Sequence, residues 1–221
     1  MMTLRICVLI SGSGSNLQAL IEARDSGRLD VEIVQVISNV ASAKGLERAT
    51  QAGIPCSIVE QSAFTGREDF DHALALLMAT GSPDLFVFAG FMRIVGEAVL
   101  SAYAGRMINL HPSLLPLYPG LNTYQRALDA GDNEYGASIH FLTEQLDGGP
   151  VISQLRIPVE AADDVSSLQK RLAPLEHRLM VATVELFQNH KVECRDGYVS
   201  IDNEAIDGPL LLEVHDKLKI A

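Results

Sequence analysis

The feature that most constrains the fold is the apolar run LFVFA at residues 85–89, which directly follows Pro83 and Asp84. A short, continuous apolar run is typical of a strand that is buried on both faces of a parallel sheet. Strand patterns at residues 5–10, 31–37 and 54–59 alternate with helix patterns along the chain before it. The N-terminal half therefore predicts an α/β fold with a mostly parallel, Rossmann-like sheet.

The second half shows a different order of patterns. Strand patterns at residues 137–142 and 151–157 are separated by a short link, which favours antiparallel pairing because a parallel crossover needs about a dozen residues or more. A long helix pattern covers residues 165–189, and Asp196-Gly197 predicts a small hairpin. We expect the parallel sheet to continue into a mixed sheet with an antiparallel strand, flanked by helices, in a single domain over residues 1–221.

Composition excludes several classes of function. The 221 residues carry a net charge of -11, whereas binding of a polyphosphate chain needs a basic face. No apolar run approaches the roughly 20 residues that span a bilayer, and the N-terminus has no signal-peptide pattern. We therefore expect a cytoplasmic protein without a nucleic-acid or membrane partner.

Cysteine and histidine spacing predicts neither disulfides nor a metal site. Cys7, Cys56 and Cys194 are few, scattered and odd in number, so we expect reduced and mostly buried thiols. The six histidines form no H-E-x-x-H motif and no paired-cysteine spacing accompanies them. No metal is expected.

Two polar residues at the end of a strand pattern are the best sequence indication of chemistry. Asn109 and His111 lie two positions apart in the strand pattern at residues 106–111, so their side chains share a face, and Pro112 ends the strand. An amide and an imidazole that point the same way can stabilise an oxyanion, and the imidazole can also move a proton. The pair is compatible with carbonyl-addition chemistry.

A glycine-rich loop, SGSGSN at residues 11–16, follows the first strand and opens the first helix. Such a loop favours a phosphate group at the helix N-terminus. A dinucleotide fold would have a third glycine where this chain has Leu17, and a Walker loop would have a lysine, which is absent. The loop predicts a phosphomonoester site, with a plain capped turn as the alternative.

Two further loops are candidates for the same site. Asp147, in the sequence DGGP, could orient and charge the imidazole of His111, although the motif on its own favours a solvated turn aspartate. The loop GFMRI at residues 90–94 follows the buried strand and could bind a flat heterocycle, or it could close the sheet as a hydrophobic plug. Arg67 and Glu176 fit solvated helix positions, and His140 fits a structural histidine in an apolar strand.

Taken together, five motifs resemble one enzyme family. The motifs SGSGSN, AGFMR, NLHPSLLP, YPG and LDGGP occur in this order over most of the chain, which is similar to the phosphoribosylglycinamide formyltransferases of purine synthesis. The resemblance implies an enzyme of one-carbon metabolism that transfers a formyl group from 10-formyltetrahydrofolate to the amine of glycinamide ribonucleotide. It implies small-molecule substrates, no metal, and a monomer or weak homodimer.

The resemblance also assigns residues, in three sets. It implies a catalytic trio of Asn109, His111 and Asp147. It implies that the phosphoribosyl group is bound by Gly14, Ser15, Asn16 and Glu176. It implies that the folate is bound by Arg67, Met92, Arg93, Ile94, Val95, Asn109, Thr143, Glu144, Gln145, Leu146 and Asp147. On this reading residues 1–105 form a phosphate-binding sublobe, and residues 106–221 form a catalytic and folate-binding sublobe with the long helix and the hairpin.

The chain departs from the pattern of its relatives outside the catalytic trio. Many relatives have a lysine where this chain has Leu117, a histidine where it has Tyr124, and a different segment after His177. Formyltetrahydrofolate deformylase and methionyl-tRNA formyltransferase share the catalytic pattern, but both carry further domains. A non-catalytic folate- or nucleotide-binding module is the alternative outside enzymes, and it would not need the trio.

Overall fold

The computed structural model describes residues 3–195, 197–213 and 216–220. The chain divides between Asn109 and Leu110 into two compact units, Met1–Asn109 and Leu110–Ala221. The functional roles of the two sublobes stay predictions.

The first unit is built on a parallel sheet with the strand order β5-β4-β1-β2-β3. Its strands are β1 (Leu4–Ile10), β2 (Val31–Ser38), β3 (Cys56–Ile58), β4 (Leu85–Phe88) and β5 (Met107–His111), the last of which runs into the second unit. Its helices are α1 (Ser15–Asp25), α2 (Lys44–Gln51), α3 (Arg67–Met78) and α4 (Glu97–Ala102), with a 3-10 turn at Gln61–Ala63. All four residues of β4 are buried, as the apolar run predicts.

The second unit contains a mixed sheet and a smaller antiparallel one. In the mixed sheet β6 pairs with β7 antiparallel, β7 with β11 parallel and β11 with β12 antiparallel, while β8, β9 and β10 form the small sheet. The strands are β6 (Glu134–Phe141), β7 (Val151–Pro158), β8 (Val192–Arg195), β9 (Tyr198–Ile201), β10 (Glu204–Ala205), β11 (Leu210–Leu212) and β12 (Leu218–Ile220). The helices are α5 (Thr123–Ala130) and α6 (Val165–Asn189).

The long helix α6 begins and stays helical for identifiable reasons. The Asp164 carboxylate accepts from the Ser167 N–H, and the Ser167 hydroxyl accepts from the Asp164 N–H, so this capping box satisfies two otherwise free donors. Pro174 lies inside the helix, which continues past it because apolar side chains on both sides of the proline are buried against the sheet. None of the helices in the described part of the chain is long and apolar enough to cross a membrane.

The α/β class, the parallel first sheet, the antiparallel β6–β7 pair and the β8–β9 hairpin agree with the sequence predictions. Asp196 of the predicted turn lies outside the described residues. The strand predicted at residues 54–59 is shorter, since only Cys56–Ile58 forms it. The expectation that Cys56 is buried is wrong, because β3 is the edge strand of its sheet and the thiol is exposed there.

Candidate active site

Strand β5 presents Asn109 and His111 at its C-terminal end. Asn109 pairs in register with Phe88 of the buried strand β4, so it stands at the carboxyl end of the parallel sheet. Ligands of open α/β sheets bind outside this edge. The strand ends at His111 because Pro112 has no N–H to continue the ladder.

His111 is buried and faces an oxygen atom at each ring nitrogen. Its Nδ1 lies 3.4 Å from Oδ2 of Asp147, and the two side chains are 8% and 10% exposed. Its Nε2 lies 2.9 Å from the carbonyl oxygen of Tyr118, which can only accept, so Nε2 carries the proton of this hydrogen bond. An imidazolium, with an N–H on each nitrogen, would satisfy both acceptors.

The Asp147 carboxylate is held in place by its own loop and by the loop after His111. The Gly120 N–H donates to Oδ2 of Asp147 at 2.8 Å, and the Asp147 backbone adopts a φ of 48°, in the left-handed region. A Cβ on Gly149 would lie 1.9 Å from the carbonyl oxygen of Phe141, so only glycine allows the loop to return this closely to β6. The sequence alternative of a solvated aspartate does not describe this residue.

His140 is a second histidine at the same carboxylate, and it is buried, as expected for a structural histidine, but its contact with Asp147 was not predicted. Its Nε2 lies 3.7 Å from Oδ1 of Asp147, while its Nδ1 is 2.9 Å from the carbonyl oxygen of Phe141. Burial lowers the pKa of His140 below its ordinary value, and the neighbouring Asp147 opposes this shift. A signal was available, because the strand that carries His140 leads directly into the DGGP loop.

The glycine loop forms an open helix N-terminus in the first unit. Gly14 is the N-cap of α1 with a φ of 66°, and no side chain caps this end. The first N–H groups of α1 are therefore not occupied by a cap, which is the arrangement that binds a phosphate. The sequence alternative, a turn capped by Ser15 or Asn16, does not form; Oδ1 of Asn16 is buried without a hydrogen bond.

The loop after β4 is anchored at two buried residues and exposed between them. Phe91 and Val95 are buried, whereas the side chains of Met92 and Ile94 are 73% and 58% exposed. The Arg67 guanidinium donates to the carbonyl oxygens of Ile94 and Val95 at 3.5 and 3.4 Å. The ends of the loop are thus packed, and the Met92 and Ile94 side chains are accessible, while Arg93 between them packs over the Phe70 ring.

Glu176 lies on α6 in the second unit, near two tyrosine rings. Burial raises the pKa of its carboxyl group to about 7. Burial, together with the charge of Glu176, raises the pKa of Tyr124 and of Tyr135, whose ring centroids lie 4.9 Å apart with a tilt of 42° between the rings. The carboxyl group is therefore a hydrogen-bonding group in a poorly solvated position.

Comparison with known proteins identifies the family. The model of the formyl transferase family matches residues 4–184. The chain belongs to the formyl transferase family.

Relatives and solved structures agree with this assignment. The chain is 44% identical to the phosphoribosylglycinamide formyltransferase of Escherichia coli over 203 residues, which are 92% of this chain and 96% of that protein. It is 39% identical over 189 residues to the human trifunctional purine biosynthetic protein adenosine-3, covering 86% of this chain and 19% of that protein. The phosphoribosylglycinamide formyltransferase structure from Coxiella burnetii is 45% identical, with a TM-score of 0.89 over 93% of this chain and 97% of that one.

The formyl transferase fold thus confirms the predicted fold class and places the site residues within each unit. The structure brings His111 and Asp147 together, and it brings Arg67 to the loop at residues 92–95. Thr143, Glu144, Gln145 and Leu146 are exposed along the loop that leads to Asp147. No group of three or more His, Cys, Asp or Glu side chains is placed to hold a metal in the described ranges.

The positions singled out as departures from the family pattern lie in different surroundings. Leu117 is half exposed in the loop after His111. The Tyr124 ring packs beside the Tyr135 ring at a tilt of 42°. In the altered segment after His177, Met180 and Val181 are buried in the core, so the segment continues the apolar face of α6.

Proposed function

We propose that this member of the formyl transferase family transfers the formyl group of 10-formyltetrahydrofolate to the amine of glycinamide ribonucleotide. The observation that carries the proposal is the buried His111–Asp147 pair, with Asn109 on the same strand as His111. The high identity to phosphoribosylglycinamide formyltransferases supports the choice of substrates.

In the proposed reaction the substrate amine attacks the formyl carbon and forms a C–N bond. The formyl oxygen becomes an oxyanion, which the Asn109 amide stabilises as a hydrogen-bond donor and the protonated His111 stabilises by its positive charge. The carbon–nitrogen bond to N10 of the folate then breaks, and the proton lost by the amine reaches N10. Asp147 orients His111 and takes part in this proton movement, since its carboxylate faces Nδ1 of the ring.

The substrate-binding assignments follow the chemistry of each loop. The uncapped N-terminus of α1, with Gly14, Ser15 and Asn16, binds the phosphate of the ribonucleotide. Glu176 accepts hydrogen bonds from the ribose hydroxyls. The folate is bound by Arg67, by the segment Met92, Arg93, Ile94 and Val95, by Asn109, and by the loop Thr143, Glu144, Gln145, Leu146 and Asp147.

The assay that tests this function compares donor loss with and without the acceptor. Purified protein is mixed with 10-formyltetrahydrofolate, and the donor is followed with and without glycinamide ribonucleotide. We expect donor loss that depends on the amine and yields formylglycinamide ribonucleotide and tetrahydrofolate. Donor loss at the same rate without the amine would instead identify a hydrolase, the deformylase alternative.

A variant of the catalytic pair extends the test. His111→Ala should lower kcat by about 10²-fold or more, as is typical for loss of a general acid or an oxyanion donor. His190→Ala is the matched control, because His190 pairs with Asp202 on the surface of the second unit. Near-normal turnover by His111→Ala would remove His111 from the mechanism.

Location and assembly are further parts of the proposal. Cys7, Cys56 and Cys194 are free, which supports a reducing compartment such as the cytoplasm. We expect a monomer or a weak homodimer, which sedimentation velocity at several protein concentrations would test.

A further inference from the structure

The two loops proposed to bind the phosphate and the folate leave the sheet from neighbouring strands. Strands β1 and β4 pair in parallel, and the ladder continues beyond both strands. The Ala89 N–H donates to the Leu9 carbonyl oxygen at 2.9 Å, and the Ser11 N–H donates to the Gly90 carbonyl oxygen at 3.0 Å. After this point the chain turns at Gly90, whose φ is 80°, and the backbone ladder ends.

The side chain of Ser11 adds one more connection where the backbone ladder stops. The Met92 N–H donates to Oγ of Ser11 at 2.7 Å. The Ser11 hydroxyl in turn donates its proton to Oδ1 of Asn39, which follows β2. A hydroxyl has one proton and two lone pairs, so both contacts can form together. Ser11 therefore joins the ends of three neighbouring strands.

We propose that Ser11 is a positioning residue for formyl-donor binding, which holds the segment at residues 92–95 against the first residue of the glycine loop. This inference rests on the proposed function, in which that segment binds the folate. This role of Ser11 is separate from phosphate binding and from catalysis by the trio.

The exposure of the segment explains why it needs such a contact. The side chains of Met92 and Ile94 are largely exposed, and of the three residues between Phe91 and Val95 it is Arg93 that packs inward, with its guanidinium 5.4 Å from the centre of the Phe70 ring. Arg67 holds the carbonyl oxygens of Ile94 and Val95 at the far end. Ser11 holds the N–H of Met92 at the near end, and the peptide groups between these two contacts are left in a defined orientation for a ligand.

Three variants isolate the hydroxyl. Ser11→Ala removes both contacts of the side chain and keeps the backbone bond to Gly90, whereas Ser11→Thr keeps a hydroxyl at the same position. Ser57→Ala is the matched control, because the Ser57 hydroxyl accepts from the Gln35 amide at 2.7 Å on strand β3 of the same unit. Circular dichroism and the melting temperature confirm that each variant is folded.

Steady-state kinetics with each substrate varied in turn give the first readout. Ser11→Ala should raise the KM for 10-formyltetrahydrofolate by about 3- to 10-fold, the loss expected for a hydrogen bond of ordinary strength. The KM for glycinamide ribonucleotide and kcat should change by less than about 2-fold, because the phosphate loop and the catalytic trio keep their groups. Ser11→Thr should restore the donor KM, and Ser57→Ala should leave all three parameters unchanged.

Amide hydrogen exchange gives a readout that is independent of activity. In a ¹⁵N-labelled sample without substrates, the Met92 amide should exchange at least about 10-fold faster in Ser11→Ala than in the wild type or in Ser11→Thr. Faster exchange together with an unchanged donor KM would overturn the positioning role. Equal losses in both KM values and in kcat would also overturn it, since they would indicate general damage to the sheet edge.

A binding measurement separates failure of this inference from failure of the proposed folate site. Tetrahydrofolate, the reaction product, is titrated under anaerobic conditions into the wild type, Arg67→Ala and Ser11→Ala. Weaker binding by both variants supports the inference. Weaker binding by Arg67→Ala alone rejects the role of Ser11 and keeps the folate site, whereas wild-type binding by both variants rejects the folate site itself and with it the role of Ser11.

Discussion

Nδ1 of His111 lies 3.4 Å from Oδ2 of Asp147, in a position where both side chains are about nine-tenths buried. The distance is longer than an ordinary N–H···O bond, so the contact has room to shorten when the ring gains a proton or a ligand binds. The carboxylate also receives the Gly120 N–H, which fixes it from the side of the loop after His111. The buried Asp147 carboxylate thereby fixes the orientation of the His111 ring at the end of β5.

The first prediction concerns the charge of Asp147. Asp147→Asn keeps the shape of the side chain and removes its negative charge, so His111 loses its charged partner at Nδ1. We expect kcat to fall by about 10²-fold or more, with smaller changes in KM. Initial rates with both substrates at saturation measure this effect.

A matched control for Asp147 lies in the same unit. Asp202 pairs with His190 at 2.7 Å, and both side chains are about half exposed. Asp202→Asn makes the same chemical change at an exposed histidine–aspartate pair and should leave kcat within about 2-fold of the wild type. A comparable loss in the two variants would contradict a specific role for Asp147.

The second prediction concerns Asp71, which pairs with Arg67 one turn along helix α3. Oδ2 of Asp71 lies 3.6 Å from Nε of Arg67, and Asp71 is 3% exposed with no hydrogen bond to its Oδ1. Asp71→Asn should raise the KM for the formyl donor by about 3-fold or more, because it weakens the hold on the Arg67 guanidinium. In an Arg67→Ala background the same change should have no further effect on this KM.

Asp69→Asn serves as the control on the same helix, since the Asp69 carboxylate only accepts from the Thr65 hydroxyl at an exposed position. It should leave the donor KM unchanged. Additive effects of the Asp71 and Arg67 substitutions on the donor KM would show that Asp71 acts independently of Arg67, and the prediction would then be wrong.

Much of this architecture could be predicted from local sequence, because β1, β2 and β3 each lie in a short apolar run that is followed by a helix pattern. Helix α4 and strands β10 to β12 were not predicted, since they are short and depend on tertiary pairing. Strand β11, for example, is defined by its register with Ser153 and Gln154 of β7. Such pairing leaves no period in the sequence.

The residues of the site with a local motif were predictable to a similar degree, whereas contacts between distant segments were not. The polar strand end and the glycine loop have local signatures, so Asn109, His111 and Gly14 could be singled out from spacing. Asp147 and His111 lie in different segments of the sequence. The residues alone therefore could not decide between a contact with His111 and a solvated turn aspartate. The contacts of His140 with Asp147 and of Ser11 with Met92 were not predicted, because a single histidine or serine beside an apolar strand has no motif of its own.

The third prediction concerns the close packing behind the glycine loop. A Cβ on Gly45 would lie 2.4 Å from Cδ1 of Ile10 and 3.0 Å from Cα of Gly14, and the Gly45 N–H donates to the Gly12 carbonyl oxygen. Gly45→Ala should push the loop away from α2 and raise the KM for glycinamide ribonucleotide by about 10-fold, with a smaller effect on the donor KM. Steady-state kinetics with each substrate varied measure both.

The control for Gly45 is a glycine with space around it. A Cβ on Gly66 would meet no atom closer than 3.9 Å, and its φ of -140° is open to any residue. Gly66→Ala should therefore leave the KM for glycinamide ribonucleotide unchanged. If Gly45→Ala also leaves it unchanged in a folded protein, the glycine loop does not depend on this packing.

The last prediction concerns the pH dependence of stability at Glu176. Burial raises the pKa of its carboxyl group from 4.5 to about 7, so the folded state disfavours the ionised form. The contribution of Glu176 to stability is then fully present below about pH 4.5 and is lost as the pH rises through about 7. Glu176→Gln stays neutral, so it should be about as stable as the wild type at pH 5 and more stable at pH 8, by about 1–2 kcal/mol for a partly buried group.

Urea unfolding at the two pH values measures the difference in the free energy of unfolding. Glu204→Gln, at an exposed position in β10, is the matched control. A difference that stays the same at pH 5 and pH 8 would show that the folded protein does not disfavour the charge on Glu176.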